Sequence, residues 1–363
     1  MKKNNIVIYS LLTGIVLLAA FILFIRYKIL ADHSFIFSSL PYLFQEPAIE
    51  VVSENNESYI KWVDFNITSE ALNKAYTLDV ESYDKDVHLN WIELLAYAGA
   101  KCGGNFDKSS LSLIDKLAAE LSDGRTTIAD LTKDMKYYKY YYEAYDAVLG
   151  GMVGEYEIEK EDENGNKVFK KVYGLKAFSP IAKGFDYSDY DDFGSSRSYG
   201  YKRQHLGHDM MGQIGTPIIA VESGYVEALG WNQYGGWRIG IRSFDGKRYY
   251  YYAHLRQNFP YALNLEEGSV VTAGDVIGYM GHTGYSTVEN TNNIDTVHLH
   301  FGMQLIFDES QKDGNNEIWI DCYALTRFLS KNRSLTEKNQ ETKEWFRVFQ
   351  MKDPAVDQYT NSR

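Results

Sequence analysis

The segment Asn293–Leu305, "NIDTVHLHFGMQL", decides how this chain is read. Side chains on a strand alternate between its two faces, so His298 and His300 share one face while Val297, Leu299 and Phe301 share the other. The second face is apolar and can be buried. The first presents two imidazoles, and neutral imidazole is both a common metal ligand and a proton carrier near neutral pH. A strand edge with two satisfied polar residues meets the same pattern, so the surrounding sequence must discriminate.

Six of the eight histidines fall between 205 and 300, inside a region from about Phe178 to Phe307. There, β-branched and aromatic runs are cut by glycine at short intervals, the pattern of an all-β domain with tight turns. In "QHLGHDMMG" strand alternation puts His205, Gly207 and Asp209 on one face and turns His208 away. Gly207, between His205 and Asp209, leaves space for another group to approach closely. With His300 these make two imidazoles and a carboxylate, a set suited to catalytic zinc with a fourth position open. His298 then stands beside the open position. In "RYYYYAHLRQN", His254 shares a face with Tyr250 and Tyr252 and adds a further imidazole. His208 and His282 are expected at the surface or groove rim, and His33 and His88 outside any site.

Four ordered motifs, "HLGHD", "YYAHL", "GDVIGYMGHTGYST" and "HLHF", resemble those of LytM-type zinc endopeptidases of the M23 family. The glycine-punctuated stretch "GTPIIAVESGYVEALGWNQYGGWRIGI" is similar to that family's core strands, and the resemblance covers roughly 190–307. It implies that His205, Asp209 and His300 bind Zn2+, that His298 is the general base, and that His254 supports the transition state. Tyr199, six residues before His205, stands where some members place an oxyanion-stabilising tyrosine, with Tyr201 as a neighbour able to substitute. The implied substrate is the stem or cross-bridge peptide of peptidoglycan. The chain departs from the family in the polar insertion Val288–Val297, expected to border the groove, and in Gly302, where many members carry an acidic residue or glutamine.

The rest of the chain bounds this reading. A formal charge of -12 argues against nucleic-acid binding. Cys102 and Cys322 can form neither a disulfide scaffold nor a multi-cysteine metal site and are expected as free buried thiols. Ile6–Ile25 is an uncharged apolar run after Lys2 and Lys3, long enough to cross a bilayer as a helix. It is read as an uncleaved single-pass anchor in the cell membrane, with the catalytic part extracytoplasmic. The expected architecture is α+β: an N-terminal transmembrane helix (1–30), a stalk (31–70), a small helical module (71–150), a hairpin and connector (151–189), an antiparallel all-β peptidase domain (190–307) and a polar tail (308–363). Segment 151–198 is a candidate cover for the groove. The dense tyrosines 137–142 are expected in a crowded helix contact. The alternative function is a catalytically weak, membrane-anchored scaffold or regulator of cell-wall hydrolases; such relatives typically lose zinc ligands, and all three are present here.

Overall fold

The structure is a computed structural model that describes residues 59–199, 201–314 and 316–363, with the side chains of Tyr199 and Tyr201 outside that description. The expected anchor and most of the expected stalk therefore lie outside the described residues. Among the described residues no helix is long and apolar enough to cross a membrane.

Five helices come first: α1 (Ser69–Ser82), α2 (Trp91–Cys102), α3 (Lys108–Ser122), α4 (Ile128–Thr132) and α5 (Tyr138–Leu149). Their starts are set by side-chain caps that meet otherwise unpaired N–H groups. Asn90 caps α2 by accepting from the Ile92 and Glu93 N–H groups. Asp107 and Ser110 form a reciprocal capping box on α3. α4 ends at Thr132 before α5 begins at Tyr138, so the two are separate helices. The tyrosines of α5 press on α2 as expected. A Cβ on Gly99 would stand 2.8 Å from the Tyr145 hydroxyl and 3.2 Å from Cδ1 of Tyr141, so only glycine allows this helix contact.

The hairpin β1 (Val153–Glu161) and β2 (Lys167–Leu175) turns at Asn164-Gly165, with Gly165 in the left-handed region at φ +79°. Then follow β3 (Ser188–Asp189), β4 (Ser196–Tyr199), β5 (Tyr201–Gln204), β6 (His208–Met211), β7 (Pro217–Ile219), β8 (Gly224–Asn232), β9 (Gly236–Ser243), β10 (Arg248–Ala253), β11 (Val270–Val271), β12 (Val276–Tyr279), β13 (His298–Leu305) and β14 (Ile318–Trp319). The main antiparallel sheet runs β11-β8-β9-β10-β13-β6-β3, with β14 beside β13. As the opening segment implied, β13 is a strand, and its other face (Leu299, Phe301, Met303) is fully buried.

The chain closes with α6 (Tyr323–Leu329), β15 (Thr336–Lys338), β16 (Trp345–Arg347), β17 (Met351–Lys352) and α7 (Pro354–Asn361). The expected polar tail is instead woven into the fold. β14 pairs with β13, β17 pairs with β1, and Asp353 takes Lys176 at 2.7 Å and the Ser223 hydroxyl at 2.7 Å. The helices share one apolar core with the sheet, which includes Trp91, Ile114, Tyr145, Leu299 and Phe328. The polar composition of the last fifty residues hid this, because a few scattered apolar residues, Ile318, Ile320, Leu325, Phe328 and Leu329, carry their share of the core among many polar neighbours.

Candidate metal centre and its groove

His300 and Asp209 are direct cross-strand partners of β13 and β6, which puts their side chains on one face within reach of each other. His205 reaches the same point from the short link between β5 and β6, not from a strand. Asp209 Oδ1 lies 2.9 Å from His205 Nε2 and 2.9 Å from His300 Nδ1, and the two nitrogens are 3.0 Å apart. Gly207 makes the closeness possible: a Cβ there would fall 2.6 Å from Cε1 and Nε2 of His300 and 2.8 Å from the Phe301 carbonyl oxygen.

These three donor atoms fit a zinc ion. Tetrahedral bonds of about 2.0–2.1 Å separate ligand atoms by about 3.3 Å, close to the spacing found. Burial alone would raise the Asp209 carboxyl, but the His205 and His300 imidazoles beside it outweigh that and hold the carboxyl far below its usual range. Behind His205, Nδ1 sits 3.3 Å from the Asp192 carbonyl and 3.2 Å from Asp192 Oδ1, which fixes the proton on Nδ1 and leaves Nε2 free to ligate. Arg197 bonds the Asp192 carboxylate and lies 3.4 Å from Asp209 Oδ2, tying the two acids together.

Two further imidazoles face the donors. His298 donates from Nδ1 to the Thr296 carbonyl at 2.8 Å, and its Nε2 stands 3.8 Å from Asp209 Oδ1. His254 directly follows β10 with φ +61°, a conformation unusual outside glycine. Its N–H donates to the Gly235 carbonyl at 2.8 Å, its carbonyl accepts from Gly281 at 3.0 Å, and Nδ1 donates to the Thr283 carbonyl at 3.0 Å. The His254 and His298 ring centroids are 4.7 Å apart. Burial pushes both imidazoles below their ordinary pKa, that of His254 well below, so the neutral form is favoured in each.

All five residues line a groove of about 670 Å³, whose walls include Arg203, Tyr234, Arg238, Tyr251, Tyr285 and Trp319. Of segment 151–198 only Arg197 reaches the lining among the described residues, so the hairpin is not a cover. Among the described residues none of the insertion 288–297 lines the groove; it is tied to the lining residue Tyr285, whose carbonyl accepts from Asn293 at 2.6 Å, while Asn290 takes the Trp237 indole N–H at 2.8 Å. Gly302 is explained by Trp319, since a Cβ there would lie 2.8 Å from the indole. Tyr199 is on β4, but its side chain lies outside the described residues.

His208 is not at the surface. It is buried, hydrogen-bonded through Nδ1 to Thr326 at 2.7 Å, with Nε2 3.3 Å from Asp189. His282 bonds the Ile294 carbonyl at 2.7 Å and holds the insertion. His88 pairs with Asp79 at 2.9 Å, far from the groove lining. Cys322 is buried and Cys102 half-buried, both free. The sequence did not point to Asp192, Arg197, Arg203 or Trp319, because none stands at a motif spacing from the histidines.

Residues 203–313 match the family model described as Peptidase family M23. The chain is similar to the L-Ala–D-Glu endopeptidase of Bacillus subtilis, 38% identical over 154 residues, which are 42% of this chain and 44% of that protein. It is similar to the glycyl-glycine endopeptidase ALE-1 of Staphylococcus capitis, 38% identical over 27% of this chain and 24% of that one. The chain thus spans less than half the length of these curated relatives. Among solved structures, lytM of Ruminococcus gnavus aligns at a TM-score of 0.48 and 25% identity over 80% of this chain and 94% of that chain.

Proposed function

Because residues 203–313 match the family model described as Peptidase family M23, we propose that this chain is a zinc-dependent endopeptidase that hydrolyses amide bonds in the stem or cross-bridge peptides of peptidoglycan. The observation that carries the reading is the meeting of three ligand atoms within 3.0 Å of one another beside two imidazoles of fixed orientation. His205, Asp209 and His300 hold the metal. Zinc held there supplies Lewis acidity to a water and to the scissile carbonyl.

The chain's own groups do the rest. His298, with Nδ1 committed to the Thr296 carbonyl, offers the Nε2 lone pair as general base and returns the proton to the leaving amine. His254, with Nδ1 committed to Thr283, also presents Nε2. In its favoured neutral form it accepts a hydrogen bond and orients water or the leaving amine; it supports developing oxygen charge only while protonated. The Tyr199 hydroxyl is then the donor proposed for that charge, on the resemblance alone. The segment 1–30 anchors the chain in the membrane, with the groove on the extracytoplasmic side facing the wall.

The test is metal content and cleavage together. Purified chain incubated with peptidoglycan should release new amino termini, detected by mass spectrometry, with about one zinc per chain. The named activities of the relatives supply two soluble substrates, an alanyl-D-glutamyl and a glycyl-glycine peptide. His298→Ala should keep zinc and lose about 10²–10⁴-fold in kcat. Zinc without cleavage of any wall type would favour a non-catalytic scaffold.

A further inference from the structure

The groove carries more positive charge than its own carboxylates neutralise. Resting on the peptidase reading, we propose that Arg203 and Arg238 form a carboxylate-binding subsite, so that the substrate is a peptide with a carboxylate next to the scissile amide.

β4 and β5 pair so that Arg197 stands directly opposite Arg203. Like charges opposed across a strand pair repel. Arg197 is offset by Asp192 and Asp209. Arg203 has no carboxylate partner among the described residues. Its guanidinium lies 5.0 Å from the ring centroids of both Tyr234 and Tyr285, and Nη2 donates to the Tyr285 hydroxyl at 2.7 Å. Its Nη1 is buried and meets no acceptor among the described residues. A buried donor left unpaired is costly, more so when charged, and an arriving carboxylate removes that cost.

Arg238, on β9, lines the same groove, and its side chain makes no ion pair among the described residues. Both arginines share the groove lining with the half-buried Tyr251, whose ring centroid is 6.0 Å from that of His300. By contrast, Arg242, Arg248 and Arg347 each pair with a carboxylate. Of the acids on the groove's outer lip, Glu317 is bonded to the Trp319 indole at 2.6 Å, and exposed Asp313 bonds to neither arginine.

Position sets which carboxylate is read. The Tyr285 ring that carries Arg203 is 6.0 Å from the His254 ring. An extended peptide advances about 3.3 Å per residue, so a group held by Arg203 belongs to a residue at or next to the cut. Two sources share this chemistry: the free α-carboxyl of a γ-linked glutamyl residue, and the terminal carboxylate of a short peptide.

Binding to the full chain carrying His298→Ala decides between them without turnover. Titration calorimetry would compare an alanyl-γ-D-glutamyl peptide with its α-carboxyl free or amidated, and the same peptide with its C-terminus free or amidated. The carboxylate form of one pair should bind about tenfold or more tightly than its amide, and that pair names the source. Arg203→Gln or Arg238→Gln should collapse the ratio toward one, while Arg203→Lys keeps part of it. In the wild-type enzyme the same preference should fall mainly in KM. Equal binding of acid and amide in both pairs overturns the proposal, as does a preference that survives Arg203→Gln in a variant with unchanged Tm. Cleavage without carboxylate preference sinks the subsite alone; Arg203-dependent binding without cleavage sinks the peptidase reading and leaves the subsite standing.

Discussion

Gly207 shows how one missing carbon positions a metal site. The His300 ring occupies the space that a side chain at 207 needs, with a 2.6 Å approach to Cε1 and Nε2. The backbone carbonyl of Phe301 closes the other side at 2.8 Å and cannot swing away as a side-chain tip can. Gly207→Ala should therefore displace His300 from Asp209, weaken zinc binding at least tenfold, and lower stability by about 1–3 kcal/mol through overpacking. Metal titration and urea denaturation check the two effects separately; unchanged zinc affinity would show that the ring has another place to go. His254 and His298 follow a related logic, since each has its Nδ1 proton committed to a carbonyl and its Nε2 left available. Alternation along the strand put His298 and His300 on one face, but it set His254 with Tyr250 and Tyr252, which are buried in the core; the left-handed backbone at His254 turns its ring to the groove with Tyr251 and Ala253 instead. Nor could alternation reveal the tautomers, which depend on Thr283 and Thr296 being brought alongside.

At the scale of elements, the end of α5 is fastened to β10 by Arg248. The guanidinium donates to the Ala147 carbonyl at 2.9 Å, one of the last carbonyls of the helix, where a cation is favoured. It also grips Glu222 at 2.8 and 3.0 Å, and Glu222 takes the Tyr250 hydroxyl at 2.6 Å. The group is buried, so removing the cation alone leaves a carboxylate without compensation. Arg248→Met should cost about 3–5 kcal/mol in chemical denaturation, and adding Glu222→Leu should restore much of it. If the single change costs less than about 1 kcal/mol, water enters the site and the network is not closed. Because β10 leads directly into His254, the same variant should lower kcat more than the stability loss explains at temperatures where it remains folded.

For the whole molecule, tyrosine sets the alkaline limit. Burial raises the phenols of Tyr141 and Tyr261 to about 12, and desolvation pushes several others further. The unfolded chain ionises these groups near pH 10, so their contribution is complete below that pH and is lost as pH rises through the folded values. Tm followed by circular dichroism should hold to about pH 10 and then fall steeply toward 12; a flat profile would mean the phenols stay solvated. The helices and the sheet should melt in one transition, because Trp91 and Ile114 share a core with Leu299 and Phe328. What the sequence by itself determined was local: the strand at 298–305, the hairpin at Asn164-Gly165 and the tyrosine-packed helix all follow from periodicity, turn chemistry and spacing of a few residues. What only the tertiary structure decided was long-range: Asp192 behind His205, Trp319 over Gly302, the unpaired Arg203 and the woven segment 308–363. Those contacts join residues tens to hundreds of positions apart, and no local period or propensity encodes which of many polar side chains the packed core will bring together.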